Sequence, residues 1–202
     1  MSLIYCSLQN CLSYLIEAYI TVKRMKKAVI IYDSKTGNTE KLAFIIEESI
    51  EKAGFNVLTV KVDEAKDIDF FNYDLVCIGT PSYQWHPTKQ IIDYLKSKFD
   101  NYKKQGRMKL GSPKVSGKNV LIFCTYSGPH TGINEAIPAT KYIGQFFEHL
   151  GFTVVDELQV LSEFHGSEEI STKGRMGDIR GKPNDEELKK IAEKVEEIAK
   201  KI

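Results

Sequence analysis

The chain has 202 residues, of which 42% are hydrophobic and 27% are charged, which suits one well-buried core and excludes two large domains. Its 28 basic and 27 acidic residues give a formal net charge of +1. This balance argues against a nucleic-acid partner and favours a small or local one.

Residues 1–24 precede the first strand signal. Apolar residues recur there at helical spacing, but polar residues interrupt them, no basic residue precedes them, and no cleavage signal follows. The segment is typical neither of a signal peptide nor of a membrane span. Because Met25 leads directly into a strand, we interpret 1–24 as an N-terminal extension that is dispensable for the chemistry, or as a wrongly assigned start. The domain then covers 25–202.

From Met25 onward, short β-branched runs alternate with helical periodicity. The runs predict five strands, at 27–32, 56–62, 73–79, 119–125 and 153–161. The first run, 27–32, is almost continuously apolar, as expected of a strand in a parallel sheet that helices cover on both faces. Ligands of such α/β sandwiches bind at the carboxyl ends of the strands.

Helical stripes lie between the strands. One stripe ends before Gly54 and another before Gly151, and Asn184 with Glu187 forms a capping-box pattern that opens a last helix. The stripes consist of Leu42, Ile46 and Ile50, then Tyr142, Ile143, Phe146, Phe147 and Leu150, then Leu188, Ile191, Val195, Ile198 and Ile202. We expect 100–118 and 162–183 to be long loops rich in Gly, Lys and Ser.

The four cysteines are scattered. Cys6, Cys11, Cys77 and Cys124 show none of the close spacing of zinc or iron–sulfur sites. Cys77 and Cys124 lie inside apolar strands, so we predict buried core thiols there. This pattern predicts no metal and a reduced thiol state, which indicates a cytoplasmic location.

The stretch YDSKTGNT, at 32–39, joins the first strand to a helix predicted to begin near Asn38 or Thr39. Free backbone N–H groups and the positive end of the helix dipole would point into this loop. Ser34, Thr36 and Thr39 add hydroxyl donors, and Gly37 lets the backbone curl around an anion. The loop therefore predicts a phosphate site.

Other phosphate chemistries need residues that this loop lacks. Neither GxGxxG nor GxxxxGK[ST] is present, which excludes a dinucleotide fingerprint and a P-loop nucleoside triphosphatase. The loop has no cysteine that could act as a phosphatase nucleophile. A phosphate ester that is held rather than hydrolysed remains.

YDSKTGNT at the end of a first strand resembles the phosphate loop of the flavodoxin family, and GTPSYQWHPT at 79–88 extends the resemblance over about 25–202. The resemblance implies a three-layer sandwich with a five-stranded parallel sheet, in the order 2-1-3-4-5, and bound flavin mononucleotide (FMN). It assigns the phosphate to Ser34, Thr36, Asn38 and Thr39, with backbone N–H groups from Lys35 and Gly37.

The loops 80–88 and 126–134 would hold the flavin ring. Tyr83 and Trp85, the only tryptophan, are candidates for stacking on it. Backbone groups of Pro81, Ser82 and Gln84 would meet the ring edge, while Tyr126, Ser127, Gly128 and His130 would wall its other face. His86 and His130 are interpreted either as exposed histidines or as proton donors. We predict no separate catalytic residue.

Three functions remain open on these residues. The first is an FMN-binding electron carrier that docks on a redox partner protein. The second is an NAD(P)H-dependent quinone or FMN reductase of the same fold. The third is a flavin-binding module without redox turnover. The reductase would use small-molecule donors and acceptors. With a net charge of +1, electrostatic steering toward a basic partner would be weak. The oligomeric state stays open.

Overall fold

A computed structural model describes residues 25–202, so residues 1–24, with Cys6 and Cys11 and the predicted N-terminal extension, lie outside the described residues. Five parallel strands form one sheet in the order β2-β1-β3-β4-β5, which confirms the expected class and order. The strands are β1 (Lys27–Tyr32), β2 (Asn56–Lys61), β3 (Leu75–Pro81), β4 (Asn119–Tyr126) and β5 (Thr153–Leu161).

Helices cover both faces of the sheet. They are α1 (Asn38–Lys52), α2 (Lys89–Lys104), α3 (Ile137–His149), α4 (Glu168–Lys173) and α5 (Asp185–Lys201). Helices α1 and α5 pack on one face, and α2 and α3 pack on the other. Between residues 25 and 202, no helix is both long and apolar enough to span a bilayer.

The apolar strand sequences follow from burial on both faces. In β1, Val29 and Ile31 point into the core under α2 and α3, whereas Ala28 and Ile30 point into the core under α1 and α5. All four are completely buried, because successive side chains of a strand alternate between the two faces. Cys77 and Cys124 are also buried free thiols, as predicted.

Local signals in the sequence set the ends of several helices. The capping box of Asn184 and Glu187 opens α5 as predicted. Helix α1 begins at Asn38 and is followed by Gly54, which has a φ of +91°. In the stripe on α3, Ile143 and Phe147 are fully buried, but Tyr142 is 38% exposed, so the inward position expected for Tyr142 was wrong.

The two predicted loops are shorter than expected. Helix α2 extends to Lys104, because Tyr102 continues its buried face and its hydroxyl donates to Asp69 Oδ1 at 3.0 Å. The first loop therefore starts at Gln105. Within 162–183 the chain forms α4, whose N-terminus is capped by the Ser167 side chain.

Candidate functional site

Four loops meet around a polar pocket at the carboxyl edge of the sheet, which is the side where the parallel strands end. Three of them are the predicted loops after β1, β3 and β4, and the fourth follows β5. The lining residues are Ser34, Lys35, Thr36, Asn38, Thr39, Pro81, Ser82, Tyr83, Thr125, Tyr126, Ser127, Ser162, Glu163 and Phe164. The rule that ligands bind at the carboxyl ends of parallel strands thus locates the pocket.

The loop after β1 offers unpaired backbone donors. Gly37 has a φ of +95°, a conformation that favours glycine, and it reverses the chain into α1. The N–H groups of Lys35, Thr36, Asn38 and Thr39 have no acceptor within the described residues. The N–H of Gly37 donates to Ser34 Oγ at 3.2 Å. Free backbone donors grouped in this way at a helix N-terminus suit an anion.

Three hydroxyls complete this donor set. Ser34 Oγ accepts from Gly37 and keeps its own proton for a ligand. Thr39 is 2% exposed, and its Oγ1 shares a hydrogen bond of 2.8 Å with Thr125 Oγ1. If Thr125 donates in that bond, the proton of Thr39 is free for a ligand. Thr36 Oγ1 has no partner in the described part of the chain.

Asn38 links the first loop to the fourth. Its Nδ2 donates to Glu163 O at 2.8 Å, and its Oδ1 lies 3.4 Å from His165 Nε2. The fourth loop is also fixed to the end of β4, since Ser162 N donates to Tyr126 O at 2.8 Å. In this structure the Asn38 side chain fixes the loop after β5 against the phosphate loop, while its backbone N–H stays free.

The second loop ends in a tight turn. Tyr83 and His86 exchange two backbone hydrogen bonds of 3.0 Å across Gln84 and Trp85. Gln84 and Trp85 have φ values of +48° and +68°, which is a strained conformation for residues with a side chain. The turn holds Trp85 out in solvent, with 57% of its surface exposed.

Tyr83 stands at the inner end of that turn. The Lys35 ammonium lies 5.3 Å from the centre of its ring, a cation–π contact. Burial and the nearby Asp33 carboxylate raise the pKa of the Tyr83 hydroxyl. The hydroxyl therefore stays neutral at physiological pH, and Tyr83 as a whole is 38% exposed.

The third loop is stiffened by Gly128 and Glu135. Gly128 has a φ of +57°, and a Cβ there would lie 2.8 Å from the backbone of Gly132. The backbone N–H groups of His130 and Thr131 both donate to Glu135 Oε1, at 2.8 and 2.7 Å. Tyr126 is 8% exposed, and burial raises the pKa of its hydroxyl.

The structure brings together ten of the fifteen predicted site residues. Those outside the pocket lining are Gly37, Gln84, Trp85, Gly128 and His130. The pocket also contains four residues that were not predicted from the sequence: Thr125, Ser162, Glu163 and Phe164. Ser162, Glu163 and Phe164 directly follow the apolar run of β5. They could have been predicted by applying to the fifth strand the rule that ligands bind at the carboxyl ends of strands.

The residues present fit FMN. Four free amides and a set of hydroxyls match a phosphate dianion. Beside the pocket, the loop residue Asp33 has a buried carboxylate oxygen, Oδ2, without a donor in the described residues. The ribityl hydroxyls of a flavin nucleotide are donors of the kind that such an acceptor needs.

Comparisons with known proteins agree with this geometry. The sequence profile of the flavodoxin family matches residues 30–195. A flavodoxin of Clostridium beijerinckii is 30% identical over 48% of this chain and 62% of its own length. A flavodoxin of Clostridium saccharobutylicum is 27% identical over 66% of this chain and 86% of its own.

Solved structures show the same fold. Flavodoxin 1 of Bacillus cereus superposes with a TM-score of 0.61 at 17% identity, over 87% of this chain and 99% of its own. The flavodiiron core of Flv1 from Synechocystis gives 0.58 at 21% identity, over 94% of this chain and 40% of that protein. With its profile match, sheet order and phosphate loop, this chain belongs to the flavodoxin family, whose proteins bind FMN.

Proposed function

We propose that this protein is an FMN-binding electron carrier that exchanges electrons with a redox partner protein. The observation that carries the proposal is the phosphate loop, where the amides of Lys35, Thr36, Asn38 and Thr39 lack acceptors within the described residues beside three hydroxyls. FMN, when bound, supplies the electron-carrying chemistry.

In this proposal the phosphate loop supplies most of the binding energy. Charge-assisted hydrogen bonds from amides and hydroxyls hold the phosphate without an arginine. The loop after β5 narrows the entrance, because Asn38 fixes Glu163 beside the phosphate loop. Phe164 adds an apolar wall to the pocket, which helps to exclude water.

The ring end lies between the loops after β3 and β4. Tyr83 and Tyr126 supply aromatic surface, and burial keeps both hydroxyls protonated by raising their pKa values. Trp85 stands exposed beside this end, where a docking partner can reach it.

A cytoplasmic location is part of the proposal. Its support is that Cys77 and Cys124 are free and buried, as suits a protein kept in a reducing compartment.

The experiment is a titration of the flavin-free full chain with FMN and, separately, with riboflavin. We expect FMN to bind orders of magnitude more tightly, because riboflavin has no phosphate to fill the loop. Equal affinities would overturn the phosphate-loop assignment.

Anaerobic reduction then tests the carrier. We expect the FMN-loaded protein to accept electrons in two resolved one-electron steps and to oxidise NADPH or NADH only negligibly. Rapid nicotinamide oxidation with a quinone acceptor would instead identify a reductase, and binding without reversible reduction would identify a non-redox module.

A further inference from the structure

The segment between α2 and β4 is the most basic part of the chain. Residues 100–118 contain six basic residues and one acidic residue, Asp100, although the whole chain has a net charge of only +1. The basic residues are Lys103, Lys104, Arg107, Lys109, Lys114 and Lys118. The rest of the protein is therefore net negative, and the excess positive charge is concentrated in residues 100–118.

Most of this charge is not neutralised by carboxylates. Arg107 pairs with Asp69 at 3.2 Å. Lys103, Lys104 and Lys109 are exposed and form no ion pair with any described residue. Lys114 is also exposed, and its ammonium donates to the neutral Phe152 carbonyl at 2.9 Å, which leaves its charge in place.

An apolar tip stands among these cations. Ser112 N donates to Lys109 O at 3.0 Å, which closes a four-residue turn. Gly111 takes a φ of +77° there. Leu110 has a relative exposure of 104%, whereas Trp85 is 57% exposed. A single large side chain held entirely in water gains free energy from any apolar environment that it can enter.

The turn lies at the amino edge of the sheet, which is the side where the parallel strands begin. Helix α2 begins after β3 at the carboxyl edge and ends at Lys104, and the loop returns to Asn119 at the start of β4. The FMN site occupies the opposite edge. A surface that binds the turn would therefore leave the site facing away from it.

We propose that the segment 103–114 docks this protein on a bilayer of anionic phospholipids, with Leu110 inserted among the headgroups and the surrounding lysines on the lipid phosphates. Each lysine of a polybasic segment that lies near such a surface strengthens binding about fivefold. Because Leu110 projects from a convex turn, it needs a deformable apolar layer rather than a matching pit. A polyanion such as nucleic acid would use the lysines but not Leu110.

The first test measures partition of the full chain onto vesicles of phosphatidylcholine with and without phosphatidylglycerol. We expect binding only with phosphatidylglycerol, and weaker binding at high salt. Leu110→Ser should lower the partition coefficient about tenfold, and Lys103→Glu with Lys109→Glu should lower it by about 30-fold or more. Absence of binding by the wild type at low salt would overturn the proposal.

A charge-matched control separates the segment from net charge. Lys189→Glu with Lys190→Glu changes the charge equally at the start of α5, near the other edge of the sheet, and should leave binding nearly unchanged. If this control loses as much binding as the loop variant, or if Leu110→Ser binds as well as wild type, the segment does not dock by insertion. Binding that survives both loop variants would belong elsewhere in the chain.

Fluorescence reports the orientation. A tryptophan introduced by Leu110→Trp should be quenched by lipids brominated on the acyl chains. Trp85, the chain's own tryptophan, should not be quenched in the wild type, because it lies at the opposite edge. Quenching of Trp85 instead would overturn the proposed orientation.

Discussion

The two ends of the site are built differently. At the phosphate end, Thr39 is 2% exposed and is held by a hydrogen bond to Thr125. At the ring end, the turn of Gln84 and Trp85 stands in solvent with both residues at positive φ. The buried threonine at one end is held by a side-chain hydrogen bond, whereas the turn at the other end is strained and open to solvent.

This difference assigns different tasks to the two ends. Donors that are fixed before the ligand arrives lose little entropy on binding, so the phosphate end is suited to provide affinity. An exposed turn gives little binding energy, so we expect it to act on the surroundings of the flavin ring and on the approach of a partner. We therefore expect substitutions at the phosphate end to change affinity and those in the turn to change potential or backbone stability.

The largest effect should come from the hydroxyls of the phosphate end. Thr36→Val together with Thr39→Val should weaken FMN binding by orders of magnitude, because each phosphate oxygen left without its donor costs about 1–3 kcal/mol. The dissociation constant is measured by quenching of flavin fluorescence. Unchanged affinity would mean that the loop does not hold the phosphate.

Two controls accompany the double variant. Thr39→Ser keeps the hydroxyl that bonds to Thr125 and should retain most of the affinity. Riboflavin binding should fall far less than FMN binding in the valine variant, because the lost groups serve the phosphate. Equal losses for both ligands would indicate a general disruption of the pocket.

A smaller effect is expected where the fourth loop is fixed. Asn38→Ala removes the donor to Glu163 O and should raise the FMN dissociation rate by about five- to tenfold, the equivalent of one partly buried hydrogen bond. Asn119→Ala is a matched control, since it removes a similar bond to Asp74 O at the amino edge. If both variants release FMN at the same rate, the fourth loop does not close the site.

At the ring end, two substitutions of Trp85 separate the indole from the backbone. Trp85→Ala should shift the flavin potential more than the affinity. Trp85→Gly removes the same indole but also relieves the strain of the positive φ. The free energy of unfolding of Trp85→Gly should therefore be about 1 kcal/mol higher than that of Trp85→Ala. Urea unfolding of the two flavin-free variants measures the difference. Equal stability would show that the turn is not strained.

The two ends of the site could not be predicted from the sequence equally well. The phosphate end is local in sequence, so the apolar strand, Gly37 and the hydroxyls of 34–39 predicted it together with the start of α1. The sheet followed equally from alternating runs, because burial on both faces leaves a continuous apolar signal.

The fourth loop depends on a contact between distant residues, and the other end depends on the geometry of a tight turn. Nothing near Asn38 in the sequence indicates that its amide reaches Glu163, because their separation of 125 residues is bridged only by the fold. The positive φ values of Gln84 and Trp85 were equally hidden, since neither residue type favours them. The two backbone hydrogen bonds between Tyr83 and His86 close the tight turn in which these values occur.

The smallest effect concerns Cys124, which lies on β4 behind both ends. Burial raises the pKa of its thiol from 9.0 to about 12, so the native state keeps a proton that the unfolded chain loses. The stabilisation is complete below pH 9 and is lost as the pH rises toward 12. The free energy of unfolding should fall by about 0.8 kcal/mol from about pH 8 to about pH 9.5 on account of this thiol. Cys124→Ala should remove that part of the pH dependence, and an unchanged dependence in urea titrations would show that the thiol ionises as freely in the folded protein.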